Sequence, residues 1–494
     1  MSISKRISSN LANPIADEST IDPLAELNGV LTGVGLRSED TGGSITFVGA
    51  DPILSSPWPL ATMAGVSLMA KSVAVADLWR TRTGEAQDLS VDLRQAPHRL
   101  CPFYDQKWEL LNGYAPAMPS DPTNSMRPSL MYETRDGRWI QLGSLYPRVK
   151  ARSLALLNCT DDPESISRAV RGWDGEALEQ EANALGLSAT LVRTTEEFLE
   201  TEQFDHLQKT PLVEIVKIGE SDPVPFKPNP QSPFDGIRAL GVGHVIAGPG
   251  LGRALAYHGA DVLNVWRPKD FEIDFLYYTS NVGVRSTTLD FDNAEGRSRF
   301  DSLLEDADIL FSNRRPGFLE SRGLTAEALS QRHPGLIHVD MSLYGWGGPW
   351  ATRTGFDLNA GGASGIFTRE GTPEKPQFTE ILVVNDYVVS WLSAMAVTAA
   401  LKRRAVEGGS YRIRISLARV SVWLLQMGLF NKDYSLSVAG KAQGHEYLAP
   451  DVFVADTPCG IYQGVTDLVK MSRTPGTYRV PLVPRGSCRP EWLP

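Results

Sequence analysis

Cysteine and histidine are scarce in this sequence, and their spacing excludes two kinds of small-site protein. The four cysteines are far apart and form no Cys-x-x-Cys pair, so neither a disulfide framework nor a zinc ribbon is expected. The seven histidines show no metal-type spacing. The opening stretch MSISKRISSNLANPIADEST has no apolar leader. These features predict a cytoplasmic protein with reduced thiols and no metal.

Excess positive charge and long apolar runs are also missing. The net charge is −10 at pH 7, whereas proteins that bind nucleic acids or anionic membranes concentrate Lys and Arg. The longest apolar run, Tyr387 to Leu401, is short for a bilayer span and rich in small residues, which favours a buried helix. A small-molecule partner is therefore expected, with no nucleic acid and no membrane.

A proline-rich stretch divides the chain into two unequal halves. SDPVPFKPNPQSPFDG contains five prolines and predicts a semi-extended linker over 221–235. Before it, 1–25 is expected to be a flexible N-terminus and 26–220 to contain a small α+β unit with a hairpin at 132–144. The remaining segment, 236–494, shows a different pattern of predicted strands and helices.

Strands and helices alternate in this second half. A strand over 236–243 leads into GPGLGRALAYHG, which predicts a Gly-rich turn and a helix ending at Gly259. A strand over 260–266 follows, and further strand–helix units continue to about residue 345. This alternation predicts an α/β fold with a Rossmann-like parallel sheet, whose ligands bind beyond the carboxyl ends of the strands.

An internal partial repeat relates the two halves. SVAVADLWRTRTGEAQDLSVDLRQA parallels AMAVTAALKRRAVEGGSYRIRISLARV, and each combines an Ala/Val-rich helix, a Gly break and an alternating strand. When Leu78 is set against Leu401, Met63 falls opposite Asp386. The first copy therefore lacks the carboxylate of the second.

Asp386 is the one acidic residue inside the apolar stretch ILVVNDYVVSWLSAMAVTAALKRR. Its simplest role is that of a helix N-cap, worth about 1 kcal/mol. A carboxylate at a helix N-terminus is also kept ionised by the helix dipole and the amides, and it can attack an activated acyl group. The two roles are compatible, and we expect Asp386 to fulfil both.

Several polar side chains are candidates for binding an anionic ligand. Arg253 closes the turn GPGLGR and could bind a phosphate at the helix start, although no acidic residue follows the second strand as dinucleotide binding would require. The other candidates lie just after a strand or in a nearby loop: Arg267, Arg285, Arg314, Arg315, His244 and Tyr344. A surface or structural role is the plainer alternative for each of them.

Together, these stretches resemble the class III CoA-transferase (CaiB/BaiF) family in its long, fused-type form. The resemblance rests on the order of GIRALGVGHVIAGPGLGRALAYHGADVLNV, ADILFSNRRPGFLESRGLT, PGLIHVDMSLYGWGGPW and NDYVVSWLSAMAVTAALKRR. It covers nearly the whole chain past residue 25. It implies a Rossmann-like domain, a smaller α+β domain and often interlocked dimers, with 26–220 as a degenerate copy.

The resemblance also implies a mechanism. Asp386 matches the aspartate that attacks an acyl-CoA thioester, giving a mixed anhydride and then an aspartyl-CoA thioester. Coenzyme A is thus a substrate, and the basic loops would hold its phosphates. Four positions differ from frequent family residues: His244 for Arg, Val284 for Lys, Ser390 for Gly, and Phe356 for the His of the racemase branch.

Three functions remain open at this point. The first is CoA transfer between an acyl-CoA and a carboxylic acid. The second is a diverted reaction, isomerisation, dehydration or cyclisation of a metabolite carboxylate or thioester, with Asp386 as general base and His244 as acid. The third is a non-catalytic binding or scaffold protein. A homodimer is one expected state, unless the internal copy replaces a second subunit.

Overall fold

A computed structural model describes residues 1–116, 131–143 and 145–494 of the chain. Its largest element is a seven-stranded sheet. From edge to edge the strands are β10 (Arg285–Thr288), β9 (Asp261–Trp266), β8 (Arg238–Val242), β11 (Ile309–Ser312), β12 (Ile337–Ser342), β13 (Ser410–Ser416) and β7 (Glu214–Gly219). All neighbours are parallel except the last pair, β13 and β7. The predicted α/β fold with a parallel sheet is confirmed.

Helices connect and follow these strands. They are α9 (Ala247–Tyr257), α10 (Asp274–Ser280), α11 (Ala294–Glu305), α12 (Ala326–Arg332), α13 (Asp357–Ser364), α14 (Ile366–Glu370), α15 (Asp386–Glu407), α16 (Leu417–Met427) and α17 (Lys432–Val438). Both faces of the sheet are covered, because successive strand residues enter different apolar clusters: Ala239 lies in one and Leu240 in the other. This is the burial expected of a doubly wound sheet.

A smaller unit precedes β7. Its antiparallel sheet contains β4 (Met131–Glu133), β5 (Trp139–Leu142) and β6 (Ala189–Val192). Its helices are α4 (Pro147–Leu157), α5 (Pro163–Val170), α6 (Gly175–Ala184), α7 (Thr195–Leu199) and α8 (Glu202–Leu207). The predicted hairpin is confirmed, with Gly137 in the left-handed region (φ 72°) at its turn.

The N-terminal region is built around one long helix. Its elements are α1 (Ile3–Ala12), α2 (Pro23–Thr32), β1 (Gly42–Val48), α3 (Leu60–Thr83) and β2 (Gln87–Asp92), with 3-10 helices at Ser38–Thr41 and Ala96–Arg99. The expectation of a flexible N-terminus is wrong for α1. Ile7 is fully buried, and the Asn10 side chain donates to the carbonyls of Leu425 and Gln426.

The two halves share their sheets. Near the C-terminus, β16 (Val469–Met471) pairs with β2 of the first half, while β14 (Val452–Thr457) and β15 (Gly460–Val465) form a sheet with β3 (Leu110–Leu111). Likewise β7, which precedes the linker, completes the large sheet. The linker 221–235 contains no helix or strand. The predicted domain boundaries therefore do not separate independent sheets.

The two longest helices, α3 and α15, pack against each other in the core. α3 is long and apolar enough to span a bilayer by length and composition alone, but its apolar window is entirely buried inside the protein. The run Tyr387 to Leu401 is likewise buried within α15. This confirms the predicted buried helix and places Asp386 at its start.

Candidate active site

Asp386 is the first residue of α15, and its side chain is nearly buried (7% exposed). The N-cap position belongs to Asn385, and neither residue's side chain caps the helix. In the described part of the chain, the Asp386 carboxylate accepts no hydrogen bond from any donor. The expected capping role of Asp386 is therefore wrong.

Asp357, the first residue of α13, performs this capping instead. Its carboxylate accepts the backbone N–H groups of Val384 (3.2 Å), Asn385 (2.6 Å) and Asp386 (2.8 Å). Asn385 and Asp386 are the N-cap and the first residue of α15, and a helix N-terminus leaves their amides without intrahelical partners. The α15 N-terminus is thus satisfied from another helix, which leaves Asp386 free of that role.

The two carboxylates interact electrostatically. Burial and the charge of Asp357 raise the pKa of Asp386 well above its ordinary value. Burial also raises the pKa of Asp357, but the amides that it accepts favour its ionised form. The proton that this pair binds therefore resides on Asp386, and above its raised pKa Asp386 becomes a buried carboxylate without a donor.

Tyr146, from the small unit, also belongs to the region around Asp386 and Asp357, which is called the active-site corner below. The Tyr146 hydroxyl donates to Glu272 Oε1 (2.6 Å), and Glu272 Oε2 accepts the backbone N–H of Val245 (2.6 Å). Burial, Glu272 and Asp386 raise the pKa of Tyr146 well above its usual value. The Tyr146 ring stacks on Phe356 (5.4 Å between centroids, 5° between planes).

Val245 follows β8 in a strained conformation. Its φ is 61°, in the left-handed region that β-branched residues rarely adopt. The hydrogen bond to Glu272 holds its amide in this position. Strain of this kind persists where the surrounding structure imposes it and is common in active sites.

Basic side chains gather at the carboxyl edge of the sheet. Arg267 follows β9 and Arg314 follows β11, and both bind the Asp270 carboxylate (2.7 and 2.6 Å). Arg315 is exposed and forms no ion pair with any described residue. His244, after β8, is half-buried, and burial and Arg314 lower its pKa well below the ordinary value. These four residues lie together as predicted for the ligand edge of the sheet.

Comparison with known proteins identifies a family that matches the segment containing Asp386 and Asp357. Residues 234–467 match the description CoA-transferase family III. The chain is similar to CoA-transferase family III over these 234 of its 494 residues. Every site residue predicted from the sequence falls inside the matched segment.

Individual proteins with CoA-transferase names are similar to parts of the chain. The chain is 29% identical over 320 residues to an acetyl-coenzyme A transferase of Hypoxylon pulicicidum, covering 60% of this chain and 54% of that protein. It is 31% identical over 235 residues to the succinyl-CoA–L-malate CoA-transferase alpha subunit of Chloroflexus aurantiacus, covering 43% and 54%. The chain thus spans about half the length of these curated relatives. A crystal structure of a CAIB/BAIF family protein from Brucella suis matches with 28% identity, covering 39% of this chain and 55% of that one (TM-score 0.35).

The structure shows how the chain accommodates three of its departures from common family residues. Ser390 donates to the Ala247 carbonyl (2.9 Å) and faces Gly250, where a Cβ would lie 2.5 Å from the serine Oγ. Val284 is fully buried in the core. Phe356 stacks on Tyr146. Each substituted side chain therefore has a packing partner inside this fold.

Two predicted ligand-binding residues are buried away from the carboxyl-edge cluster. Arg253 is almost completely buried and donates to Tyr478, Glu109 and the carbonyls of Thr279 and Val465. Tyr344 is buried, and its hydroxyl contacts Thr190 and the Asn359 carbonyl. Ligand binding by these two residues stays a prediction, and we leave them out of the proposed site.

Arg285 was expected just after a strand or in a nearby loop, on the ligand-binding side of the sheet, and the structure places it at the other edge. It is the first residue of β10, so it lies at the amino edge of the sheet, where it forms a bidentate ion pair with Asp261. Its side chain lines a cleft of about 990 Å³ at that edge. A smaller recess of about 160 Å³ lies at the carboxyl edge and is lined by Arg314, Arg315 and Trp346.

Three residues of this corner were not predicted: Asp357, Tyr146 and Glu272. Asp357 lies next to Phe356 in the Gly-rich stretch GFDLNAGGASG. Tyr146 and Glu272 stand outside any periodic pattern, so no sequence signal marks them. In the described part of the chain, no group of three or more His, Cys, Asp or Glu side chains could hold a metal ion.

Proposed function

We propose that this protein transfers CoA between an acyl-CoA and a carboxylic acid, with Asp386 as the nucleophile. The observation that carries the proposal is the buried Asp386 carboxylate, which accepts no hydrogen bond from the described residues while Asp357 caps its helix. An ionised carboxylate without donors is more nucleophilic than a solvated one. Similarity to CoA-transferase family III and relatives named as CoA-transferases support the same chemistry.

The reaction proceeds through four exchanges at carbonyl carbons. Ionised Asp386 attacks the thioester carbonyl, the C–S bond breaks, and CoA leaves as a thiolate with the acyl group held as a mixed anhydride. The thiolate then attacks the Asp386 carbonyl, releasing the donor carboxylate and leaving an aspartyl-CoA thioester. The acceptor carboxylate displaces the thiolate to form a second anhydride. The thiolate finally attacks the acceptor's acyl carbon and regenerates Asp386.

The carboxyl-edge cluster is the proposed site for the CoA phosphates. Arg267 and Arg314 share a single carboxylate, that of Asp270, and Arg315 has no ion-pair partner in the described chain. Two positive charges are therefore left over for an anionic group. Arginine guanidinium groups bind phosphate oxygens through paired, charge-assisted hydrogen bonds.

The same cluster disfavours the diverted reaction with His244 as general acid. Burial and the adjacent arginines disfavour the protonated imidazole, so His244 is neutral near pH 7. Phe356, near Asp386 through its stack on Tyr146, cannot exchange a proton. Of the candidate groups, Asp386 is the one suited to covalent chemistry.

Contacts in the first half support the internal duplication and a single nucleophile per chain. Asp51 accepts the backbone N–H groups of Ala61 (3.4 Å) and Thr62 (2.6 Å) at the start of α3. In the register that pairs Leu78 with Leu401, these amides correspond to those of Val384 and Asn385, which Asp357 accepts. The position after Thr62 is Met63, so the first copy has the cap and no reactive acid.

The test is a matrix of acyl-CoA donors and carboxylate acceptors, with chromatographic detection of the new acyl-CoA. The proposal expects at least one pair to exchange CoA, with the Asp386→Asn variant inactive on that pair. The Asp51→Asn variant serves as the control, because Asp51 caps α3, the corresponding helix of the first half, which carries no nucleophile. Exchange that survives in Asp386→Asn would contradict the proposal, and so would failure of CoA and all acyl-CoA donors to bind the folded protein.

A further inference from the structure

A second cluster of buried charges lies between the two halves, beneath α15. At its centre is Arg99, the last residue of the 3-10 helix Ala96–Arg99, which is 0% exposed. None of its three guanidinium nitrogens has a hydrogen-bond partner among the described residues. The guanidinium lies over the rings of Tyr387 (4.8 Å) and Trp391 (5.8 Å), both on α15.

The charges around Arg99 do not balance. Lys71 forms an ion pair with Asp467, and Arg253 contacts Glu109 at 3.3 Å. The nearest Asp467 oxygen, Oδ1, is 3.9 Å from Arg99, within ion-pair range and beyond hydrogen-bonding distance, and it has no hydrogen-bond partner of its own among the described residues. Three cations thus face two carboxylates, and every one of these side chains is at most 1% exposed.

No neighbouring group supplies the missing negative charge. Burial raises the pKa of each tyrosine around the cluster, Tyr257, Tyr462 and Tyr478, so their phenols are neutral. His258 is buried, and neither of its ring nitrogens has a partner among the described residues; burial and Lys71 lower its pKa to about 3, which makes it neutral as well. Arg99 is therefore the cation of this cluster that has no carboxylate within hydrogen-bonding distance.

Leaving this guanidinium without an acceptor would be costly. Each unsatisfied buried donor destabilises the folded state, and a buried charge without a counter-charge destabilises it more strongly. Stacking on Tyr387 and Trp391 satisfies the face of the guanidinium and not its N–H groups, which point outward in its plane. An anion in that plane would satisfy both the donors and the charge.

We propose that a monovalent anion of halide size binds in the plane of the Arg99 guanidinium, between the two halves of the protein. Complete burial of the cluster excludes a phosphate ester or another extended ligand. Tyr257 contacts the cluster through Lys71 (5.6 Å) and also lines the large amino-edge cleft, as does His258. An anion that enters from this cleft would pass these two rings.

The site fixes the helix that carries Asp386. Lys71, Arg99 and Glu109 come from the first half, while Arg253, Tyr387 and Asp467 come from the second. The bound anion holds Arg99 against Tyr387, the residue that follows Asp386. Its role is structural and separate from the covalent chemistry.

Crystals grown with bromide as the only halide test the proposal directly. An anomalous difference peak within hydrogen-bonding distance of the Arg99 nitrogens is the expected result, and it requires neither a substrate nor a variant. Ordered water without an anomalous signal at this position would overturn the proposal. Failure of the CoA-transfer assay has no bearing on this measurement.

Thermal unfolding provides the matched solution test. At equal ionic strength, the melting temperature of the wild type should be higher in chloride than in isethionate, because an anion that binds the folded state alone stabilises it. Arg99→Met should abolish the difference. Arg419→Met is the control, because Arg419 is a buried arginine that donates to the Thr210 carbonyl, and it should retain the difference. Equal melting temperatures of the wild type in both anions would contradict the proposal.

Discussion

The Asp357 carboxylate accepts the backbone N–H of Asp386 at 2.8 Å, so one acid caps the helix that carries the other. This separates two roles that a single aspartate at a helix start could have combined. Asp357 is anchored by amides, whereas Asp386 has no donor among the described residues. The reactive character of Asp386 follows from this difference.

The Asp386→Asn variant should be more stable than the wild type at neutral and alkaline pH. The folded state raises the pKa of Asp386, so the folded protein binds this proton more tightly than the unfolded chain does. Stability therefore falls as pH rises from about 4, the unfolded value, through the raised folded pKa. Asparagine removes that loss. Urea unfolding at about pH 4 and about pH 8 measures the free energy of unfolding of both proteins. If that free energy differed between the two proteins by the same amount at both pH values, the raised pKa of Asp386 would be contradicted.

The pH profile of transfer should depend on Asp357. We expect kcat/KM to rise with pH as Asp386 ionises, with a midpoint above the ordinary range of aspartate. Asp357→Asn keeps one acceptor oxygen and removes the charge that raises the pKa of Asp386, so the midpoint should move to lower pH. Asp51→Asn, which alters the corresponding cap of α3, should leave the midpoint unchanged. An unmoved midpoint in Asp357→Asn would show that Asp357 does not set the pKa of Asp386.

Arg315 should contribute to CoA affinity. Arg315→Met removes an exposed cation without an ion pair in the described chain, so KM for the acyl-CoA should rise about tenfold, or about 1.4 kcal/mol. Arg473→Met is the matched control, because Arg473 is also exposed and lies at the opposite edge of the sheet. Equal effects of the two substitutions would argue for general charge attraction and against a phosphate site at the carboxyl edge.

Much of the fold follows from local sequence patterns, whereas the site depends on contacts between distant segments. The strands and helices from β8 to β12 were predicted because apolar periodicity and Gly breaks mark them. The pairing of β16 with β2, and of β7 with β13, has no such mark, because it brings the C-terminus and the small unit onto sheets of the other half.

The site shows the same division. Asp386 was identified from a single acid in an apolar run. That Asp386 does not cap its helix depends on Asp357, which lies twenty-nine residues earlier in the chain and accepts the amide instead. The aromatic stack on Phe356 depends on Tyr146, which comes from the small unit. Arg285 is the opposite case. Its position in the sequence predicted a contact with a ligand, whereas in the structure it forms an ion pair with Asp261.

Tyr146 should position the small unit against the active-site corner. Tyr146→Phe removes the hydroxyl that donates to buried Glu272 at 2.6 Å, so the free energy of unfolding should fall by about 1–2 kcal/mol. The phenyl ring retains the stack on Phe356, so KM for small acyl donors should change little. Trp139→Phe, which removes a donor to the Glu374 carbonyl elsewhere in the same unit, is the comparison. A loss of transfer in Tyr146→Phe without loss of stability would instead assign the hydroxyl a direct role in the reaction.

Trapping the covalent intermediate tests the central claim most directly. The protein is incubated with an active acyl-CoA donor, quenched with hydroxylamine, digested and analysed by mass spectrometry. An anhydride or thioester on Asp386 is converted by hydroxylamine into a hydroxamate on the peptide that contains this residue. We predict this modification in the wild type and in Asp51→Asn, and its absence in Asp386→Asn. An unmodified Asp386 in protein that is turning over, or a hydroxamate on another acid, would contradict the account.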